Sequence, residues 1–330
     1  MPPRRLLFLL LASCGAAALF SFAFRAPIPL RALFDPASPD HEVAQTLFLS
    51  VRAPRLVAAL LVGASLSGAG AGLQTLFRNP LAEPYLLGLS AGGALGATLA
   101  AALDLPLVLG LDPSVPLAWV GATGAGFLVF ALGRGDNPAF DSASGRARLL
   151  LVGTAVSAML SAMLSLLVTV AHRGDLIQDM TFWLLGGLSR ANWTQNAILG
   201  VSLVVGTALL RGSARDLDAL GAGEEDAAAL GVHLPELQTR VLVAAGLLAA
   251  TSVAVGGLIG FVGLLAPHLV RLGGGRRIPI LLPGAMLGGA ALLCACDALS
   301  RSALAPTEIP VGIPTALLGV PLFLALARKM

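Results

Sequence analysis

The sequence is short of charge, of aromatic residues and above all of lysine. Only 12% of its 330 residues are Asp, Glu, Lys or Arg, where a soluble protein carries about 25%. A water-exposed fold could not cover its core with so few charges, so an ordinary soluble domain is excluded. Aromatics make up 5%, whereas Gly numbers 39 and 56% of residues are hydrophobic, mostly Ala, Leu and Val. That is the composition of closely packed membrane helices, where small residues let backbones approach. The single lysine, Lys329, stands next to the C-terminus. A phosphate-binding loop needs a Lys after its Gly-rich turn and a Schiff base needs an interior amine, so both are excluded. A net charge of +3 is too small to suggest nucleic-acid binding. Cys14, Cys294 and Cys296 lie in apolar runs without a C-x-x-C and read as small packing residues. His41, His172, His233 and His268 have no metal-ligand spacing. No metal site, resident cofactor or catalytic residue is therefore expected, and the chain does not read as an enzyme.

What the sequence does have is a series of long uncharged runs: 6–24, 56–77, 85–103, 115–133, 149–170, 194–210, 241–267, 280–296 and about 311–327. A crossing takes about 20 apolar residues. Leu11-Ala12-Ser13-Cys14 resembles a lipoprotein cleavage box, but the apolar run continues to Phe24, which reads as a retained first helix. The run 241–267 is too long for one crossing. It contains Gly256, Gly257, Gly260 and Gly263, where a helix can break inside protein. Counting it as two crossings, with the N-terminus inside, leaves Arg25, Arg31, Arg52, Arg55, Arg173, Arg190 and Arg301 outside and fourteen of the 21 basic residues inside. Counting it once gives ten inside and eleven outside. The positive-inside rule therefore predicts an all-α integral membrane protein of ten spans, a single domain over 1–330, with both termini cytoplasmic.

Two further patterns stand out. The longest polar inside loop, about 211–239, contains a helical stretch from Asp218 to Val232, with Glu224, Glu225 and Asp226 early in it, where a helix N-terminus favours acids. Leu220, Ala227 and Leu230 could form one apolar edge there, suited either to a solvated connector or to docking a cytosolic partner. Leu56-Val57-Ala58-Ala59 and Leu242-Val243-Ala244-Ala245 each follow an Arg and lead into a Gly-rich stretch and a Pro. They would run in opposite directions, which is the pattern of inverted repeats.

The segment Arg78-Asn-Pro-Leu-Ala-Glu-Pro-Tyr-Leu-Leu-Gly-Leu-Ser-Ala-Gly-Gly-Ala-Leu-Gly96 resembles the permease subunits of bacterial ABC importers for iron–siderophore complexes, haem and cobalamin, the FecCD-type family. So do Phe182–Leu188, Leu220–Val232, Val255–Arg271 and Glu308–Pro321, in the family's order and over nearly the whole chain. The resemblance implies a ten-helix subunit of the cytoplasmic (inner) membrane, used as a homodimer. It also implies two cytosolic ATP-binding subunits, which would hold ATP and Mg, and a periplasmic or lipid-anchored binding protein. The cargo would be an iron complex, siderophore-bound iron or haem, with cobalamin as the alternative. It implies site residues as well. Arg52, Arg55 and Arg301 would meet acidic residues of the binding protein, for which a guanidinium fork is suited. Asn79, Leu81, Ser142 and Ser144 would form the cytoplasmic gate, although the 136–146 loop is longer and richer in Asp, Asn and Gly than the family pattern. Leu220, Gly221, Glu224, Glu225, Leu230 and Gly231 would contact the ATPase. The fifth and tenth spans would line the pathway, with Met159 and Met163 on one face of the fifth.

Some residues keep a plainer reading. Arg52, Arg55 and Arg301 could anchor the helices at the lipid interface, and Met159 and Met163 could simply pack. Asp297 and Arg301 are four apart, which on a helix makes a local ion pair. An ion-coupled secondary transporter is the competing function, but it would need acidic or His relays within the spans, and only Asp297 and His268 come near.

Overall fold

The computed structural model of the chain describes residues 10–17, 35, 38–106, 112–134, 143–304 and 307–327. Every regular element among them is helical. In chain order they are α1 (10–17), α2 (His41–Leu76), α3 (Leu89–Ala102), α4 (Ser114–Arg134), α5 (Ala143–Ala171), α6 (Gly174–Leu185) and α7 (Trp193–Gly212). Then follow α8 (Ala214–Ala222), α9 (Glu224–Ala229), α10 (Leu234–Gly256), α11 (Val262–Leu272), α12 (Ile278–Ser302) and α13 (Gly312–Ala327). Six are long and apolar enough to cross a membrane by themselves: α2, α4, α5, α7, α10 and α12. The 14 residues of α3 and 11 of α11 extend only about 21 and 16 Å, less than the ~30 Å apolar layer.

The centre of the bundle is α2, buried over most of its length between α12, α10, α11 and α7. Its contact face is built from small residues. A Cβ on Gly63 would lie 2.4 Å from the Gly289 carbonyl oxygen of α12, and one on Gly70 would lie 1.9 Å from the Gly263 oxygen of α11. Both axes therefore close to backbone contact. In a membrane, where apolar side chains gain nothing by leaving lipid, such contact is the main source of helix cohesion. The second central helix, α10, packs against α2, and its Ala244 and Ala245 are as fully buried as Ala58 and Ala59 of α2. The two copies of the Leu-Val-Ala-Ala segment thus lie on the two central helices.

The expected break in 241–267 is present. α10 stops at Gly256, Gly257 adopts φ +66°, and α11 begins at Val262 after Phe261 at φ +68°. One detail differs from expectation. α10 starts seven residues before the apolar run, because Glu236 and Arg240 pair one turn apart and can lie within its first turns. The second half of the run is a half-length helix of 11 residues, in keeping with a run short of two full crossings. A similar arrangement follows α2, where the segment 77–88, which includes a single 3-10 turn at Pro84–Leu87, leads into the short α3.

The start of α2 is also unusual. Residues Leu47–Arg52 are wound as a π-helix, so the Ala53 N–H donates to the Phe48 carbonyl, five residues back. The next carbonyl, Leu49, would then need the N–H of residue 54, which is Pro and has none. The indole N–H of Trp193 supplies the missing donor at 2.8 Å. Asn196 Nδ2 binds the Pro54 carbonyl at 2.8 Å. α7, itself capped by Asn192, whose side chain accepts from the Gln195 N–H, thus holds the π-turn that carries Arg52.

Candidate functional site

Three polar constellations lie along the bundle. At the end formed by the start of α2, the end of α12 and the approach to α13, four charged residues meet. Arg55 Nε lies 2.9 Å from Asp297 Oδ1, Arg55 Nη1 lies 2.8 Å from Glu308 Oε2, and Arg301 Nε lies 3.1 Å from Asp297 Oδ2. The Asp297–Arg301 pair is the one the four-residue spacing suggested. Arg55 joins it from 242 positions away. The placement of Arg55 differs from that of an open surface arginine: it is 9% exposed and is held by two carboxylates. Arg52, on the π-turn, is half-buried. Asp297 is fully buried. It is retained because two guanidinium groups compensate it, and removing one partner would leave a buried charge.

The second constellation joins the two breaks. Pro267 has no N–H, so the Gly263 carbonyl of α11 lacks its donor four residues on. Gln74 Nε2 on α2 donates to it at 3.2 Å and to the Leu264 carbonyl at 3.3 Å, and Ser67 Oγ donates to the Val262 carbonyl at 3.1 Å. Arg271 Nη1 donates to Gln74 Oε1, which satisfies both ends of that buried amide. From the segment after α2, Glu83 Oε1 accepts the Phe261 N–H at 2.7 Å. The Tyr85 hydroxyl donates to the Ile259 carbonyl at 2.9 Å and accepts the Ile259 N–H at 3.2 Å. Glu83 therefore caps the N-terminus of α11 from another part of the chain, where the helix dipole favours an anion. The end of α10 and the start of the break are fastened too. Leu258 N–H donates to the Trp183 carbonyl at 2.9 Å, Gly187 N–H to the Gly256 carbonyl at 2.9 Å, and Val311 N–H to the Gly186 carbonyl at 3.0 Å. The ends of α6 and α10 and the start of α13 are knitted together by backbone alone.

Glu83→Ala leaves the Phe261 N–H without its partner, and a loss of about 2 kcal/mol is expected. Glu83→Gln keeps an acceptor and should recover most of it. Thermal unfolding of the purified protein in detergent measures both, and equal melting of Glu83→Ala and the parent would refute the cap.

The third constellation is at the opposite end, in 211–239. The single helical stretch expected there is two short helices, α8 and α9, divided at Gly223. Leu220 and Ala227 are buried, but Leu230 is 74% exposed. The three do not form one edge, because the break turns α9 relative to α8. Glu224, Glu225 and Asp226 occupy the first turn of α9, as their position suggested. Gly221 is exposed, and Gly231 takes φ +81° to end the element. Sequence reasoning missed Asp218. Its Oδ1 accepts the Ile278 N–H, the first of α12, at 2.7 Å, and its Oδ2 lies 3.5 Å from Arg277 Nε. A further pair, Arg240 with Asp216 at 3.9 Å, ties α8 to α10.

The remaining expected positions are scattered. Asn79 Oδ1 accepts the Leu81 N–H at 2.9 Å, so the two share one tight turn after α2, both half-buried. Ser142 and the side chain of Ser144 lie outside the described residues. The backbone of Ser144 belongs to α5, which starts at Ala143, so the irregular loop expected over 136–146 ends before it. Met159 and Met163 lie on one exposed face of α5, 50% and 49% accessible. Among the described residues, no three His, Cys, Asp or Glu side chains gather to hold a metal.

Comparison with known proteins places this architecture. The chain is 42% identical over 289 residues to the cobalamin import system permease of Halobacterium salinarum, covering 87% of this chain and 74% of that one. It is 39% identical over 286 residues to the hemin transport system permease of Yersinia pestis, covering 86% and 83%. A solved structure of a metal-chelate type ABC transporter in an inward-facing conformation superposes with a TM-score of 0.84 at 33% identity, covering 99% of this chain and all of that one. Residues 6–329 match the family described as the FecCD transport family. The chain belongs to the FecCD transport family, as a multi-pass permease of the inner membrane.

Proposed function

We propose that the chain carries a metal chelate inward as one half of a homodimeric ABC importer. The cargo we infer is an iron complex, siderophore-bound iron or haem. The observation that supports this best is the full-length likeness, at a TM-score of 0.84, to a metal-chelate type transporter. The 42%-identical cobalamin permease favours cobalamin as the second reading. Taken with α1, α3, α11 and α13, the six long helices make ten spans. Both termini and α8–α9 are then cytoplasmic, and the arginine cluster is outside. α2–α5 and α10–α13 form the inverted repeats, each with a long central helix, a break and a short helix.

In this arrangement Leu220, Gly221, Glu224, Glu225, Leu230 and Gly231 present the α8–α9 tip to the partner ATP-binding subunits. Those subunits must supply the motor, because this chain has no interior lysine for a phosphate loop. Asn79 and Leu81 close the inner end of the pathway, and Met159 and Met163 face it from α5. A pathway walled by such side chains binds a chelate weakly, as transfer from a tight carrier requires. Arg52, with the rim of the Arg55–Arg301 cluster, receives the binding protein.

The test is uptake into proteoliposomes holding the permease and its ATP-binding subunits, with the binding protein of the same system. Ferric hydroxamate, haem and cyanocobalamin are offered in turn. ATP-dependent accumulation of one iron complex is expected. Accumulation of cyanocobalamin alone selects the second reading. Uptake driven by a proton gradient without ATP would overturn the importer and restore a coupled transporter.

A further inference from the structure

α4 and α10 pack together in one half of their length and part in the other. Val115 and Ala118 of α4 share a buried cluster with Val253 and Ala254 of α10. Toward the α8–α9 end the two helices leave a crevice of about 300 Å³. Its floor is the buried Leu87, Leu89 and Leu149, and the exposed Phe127 and Val243 flank its mouth. At Trp119 and Leu247 it meets a second crevice, of about 500 Å³, lined also by α7. Together they follow α10 from Thr239 to Thr251, a length of about 18 Å.

The polar side chains on these walls are already served within the protein. Trp119 Nε1 donates to Thr251 Oγ1 at 3.2 Å, Thr251 Oγ1 to the Leu247 carbonyl at 2.8 Å, and Ser202 Oγ to the same carbonyl at 3.2 Å. Thr123 Oγ1 donates to the Trp119 carbonyl at 2.7 Å and Thr239 Oγ1 to the Pro235 carbonyl at 2.9 Å. Among the described lining residues no side-chain N–H or O–H is left for a polar solute, and an apolar crevice of this kind stays dry. Its mouth opens between helices long and apolar enough to cross the membrane, so it faces hydrocarbon. Left empty, its walls would forfeit their dispersion contacts.

We propose that the crevice is a binding site for one acyl chain of a membrane phospholipid, which enters from the leaflet nearer α8 and α9 and wedges between α4 and α10. A chain is apolar, slender and mobile enough to reach a floor that lies behind two helices, and the bilayer supplies it at every moment. Leu87 and Leu89 stand on either side of Gly88, where φ +74° turns the segment after α2 into α3. The chain therefore bears on that turn from behind, and it joins α4 of the first half of the sequence to α10 of the second. Gly246 leaves room for it: nothing lies within 4 Å of a Cβ built there.

The experiment uses the permease with its ATP-binding subunits in nanodiscs that contain phosphatidylglycerol bearing a diazirine on one acyl chain. After irradiation, peptide mass spectrometry should find Phe127 and Val243 labelled more heavily than Val204, an equally apolar and exposed residue of α7 outside both crevices. Gly246→Leu fills the space with the protein's own side chain and should lower that labelling about fivefold. Gly246→Ala fills less of it and should lower labelling about twofold, which keeps the test decisive if the leucine variant melts early. Gly124→Leu, on α4 with equally open space but outside the crevice, should label as the parent does. Labelling no heavier than at Val204, or unmoved by both Gly246 variants, overturns the proposal. So does a Gly246→Leu protein that keeps its lipid label and loses its self-association, which would give the crevice to a second copy of the chain.

Discussion

Gly70→Ala lowers the stability of the folded protein by about 3 kcal/mol, at the upper end of what overpacking costs. The new methyl carbon would sit 1.9 Å from the Gly263 carbonyl oxygen and 2.7 Å from its carbon. Those atoms are backbone, so no rotamer change can make room. Nor can α11 retreat. Its first three carbonyls are bound to Ser67 and Gln74 on α2, and its N-terminus is capped by Glu83. Moving it outward would break those bonds where no water replaces them. Gly200→Ala is the control. It is also a helical glycine, on α7, but nothing lies within 4 Å of its added carbon, so the substitution should be neutral or slightly stabilising. Unfolding in mixed micelles measures both. A Gly70→Ala protein as stable as Gly200→Ala would mean that the α2–α11 contact is not the close crossing described.

The same crossing shows what could be read from sequence and what could not. The break in 241–267 was legible, because four glycines interrupt a run too long for one span. The Asp297–Arg301 pair was legible from its four-residue spacing, a local property of a helix. Gln74 was not. Its role follows from Pro267 depriving Gly263 of a donor, and the two residues concerned are 189 positions apart. Glu83 and Tyr85 were visible as part of a family-like segment, but their task, fastening the other break, depends on the two halves of the chain meeting. Arg55 was legible as basic and near a span end, yet burial by Asp297 could not be deduced from its neighbours. The stretch at 211–239 was legible as helical but not as two helices. Ala and Leu around Gly223 suit one continuous helix, and only the tertiary anchoring of α8 through Asp216 and Asp218 sets it apart from α9. Local chemistry was readable, whereas contacts that close long loops were not.

Asp218→Ala is expected to separate ATP hydrolysis from uptake, lowering cargo moved per ATP about tenfold, which corresponds to roughly 1.4 kcal/mol of lost coupling. In the wild-type protein the carboxylate holds the first N–H of α12 at 2.7 Å. Losing such a cap costs a helix about 1 kcal/mol, too little to unfold a bundle of this size. What is lost is the join between α12 and α8, the element we propose to meet the ATP-binding subunits. Helix α12 has 25 residues and extends about 37 Å. Its far end carries Asp297 and Arg301, so it is the rigid body by which a displacement of α8 reaches the arginine cluster. Interfaces of this kind switch by rigid movement rather than by continuous deformation, and a loose joint wastes the stroke. Asp218→Asn distinguishes the joint from its charge. It keeps the oxygen for the Ile278 N–H and gives up only the pairing with Arg277, whose side chain is 81% exposed and therefore contributes little. Near-normal coupling in Asp218→Asn, with hydrolysis intact and uptake lost in Asp218→Ala, is the expected pattern. Uptake and hydrolysis falling together in Asp218→Ala would show that the cap serves folding alone and that the stroke reaches the bundle elsewhere, through the Arg240 tie to α10.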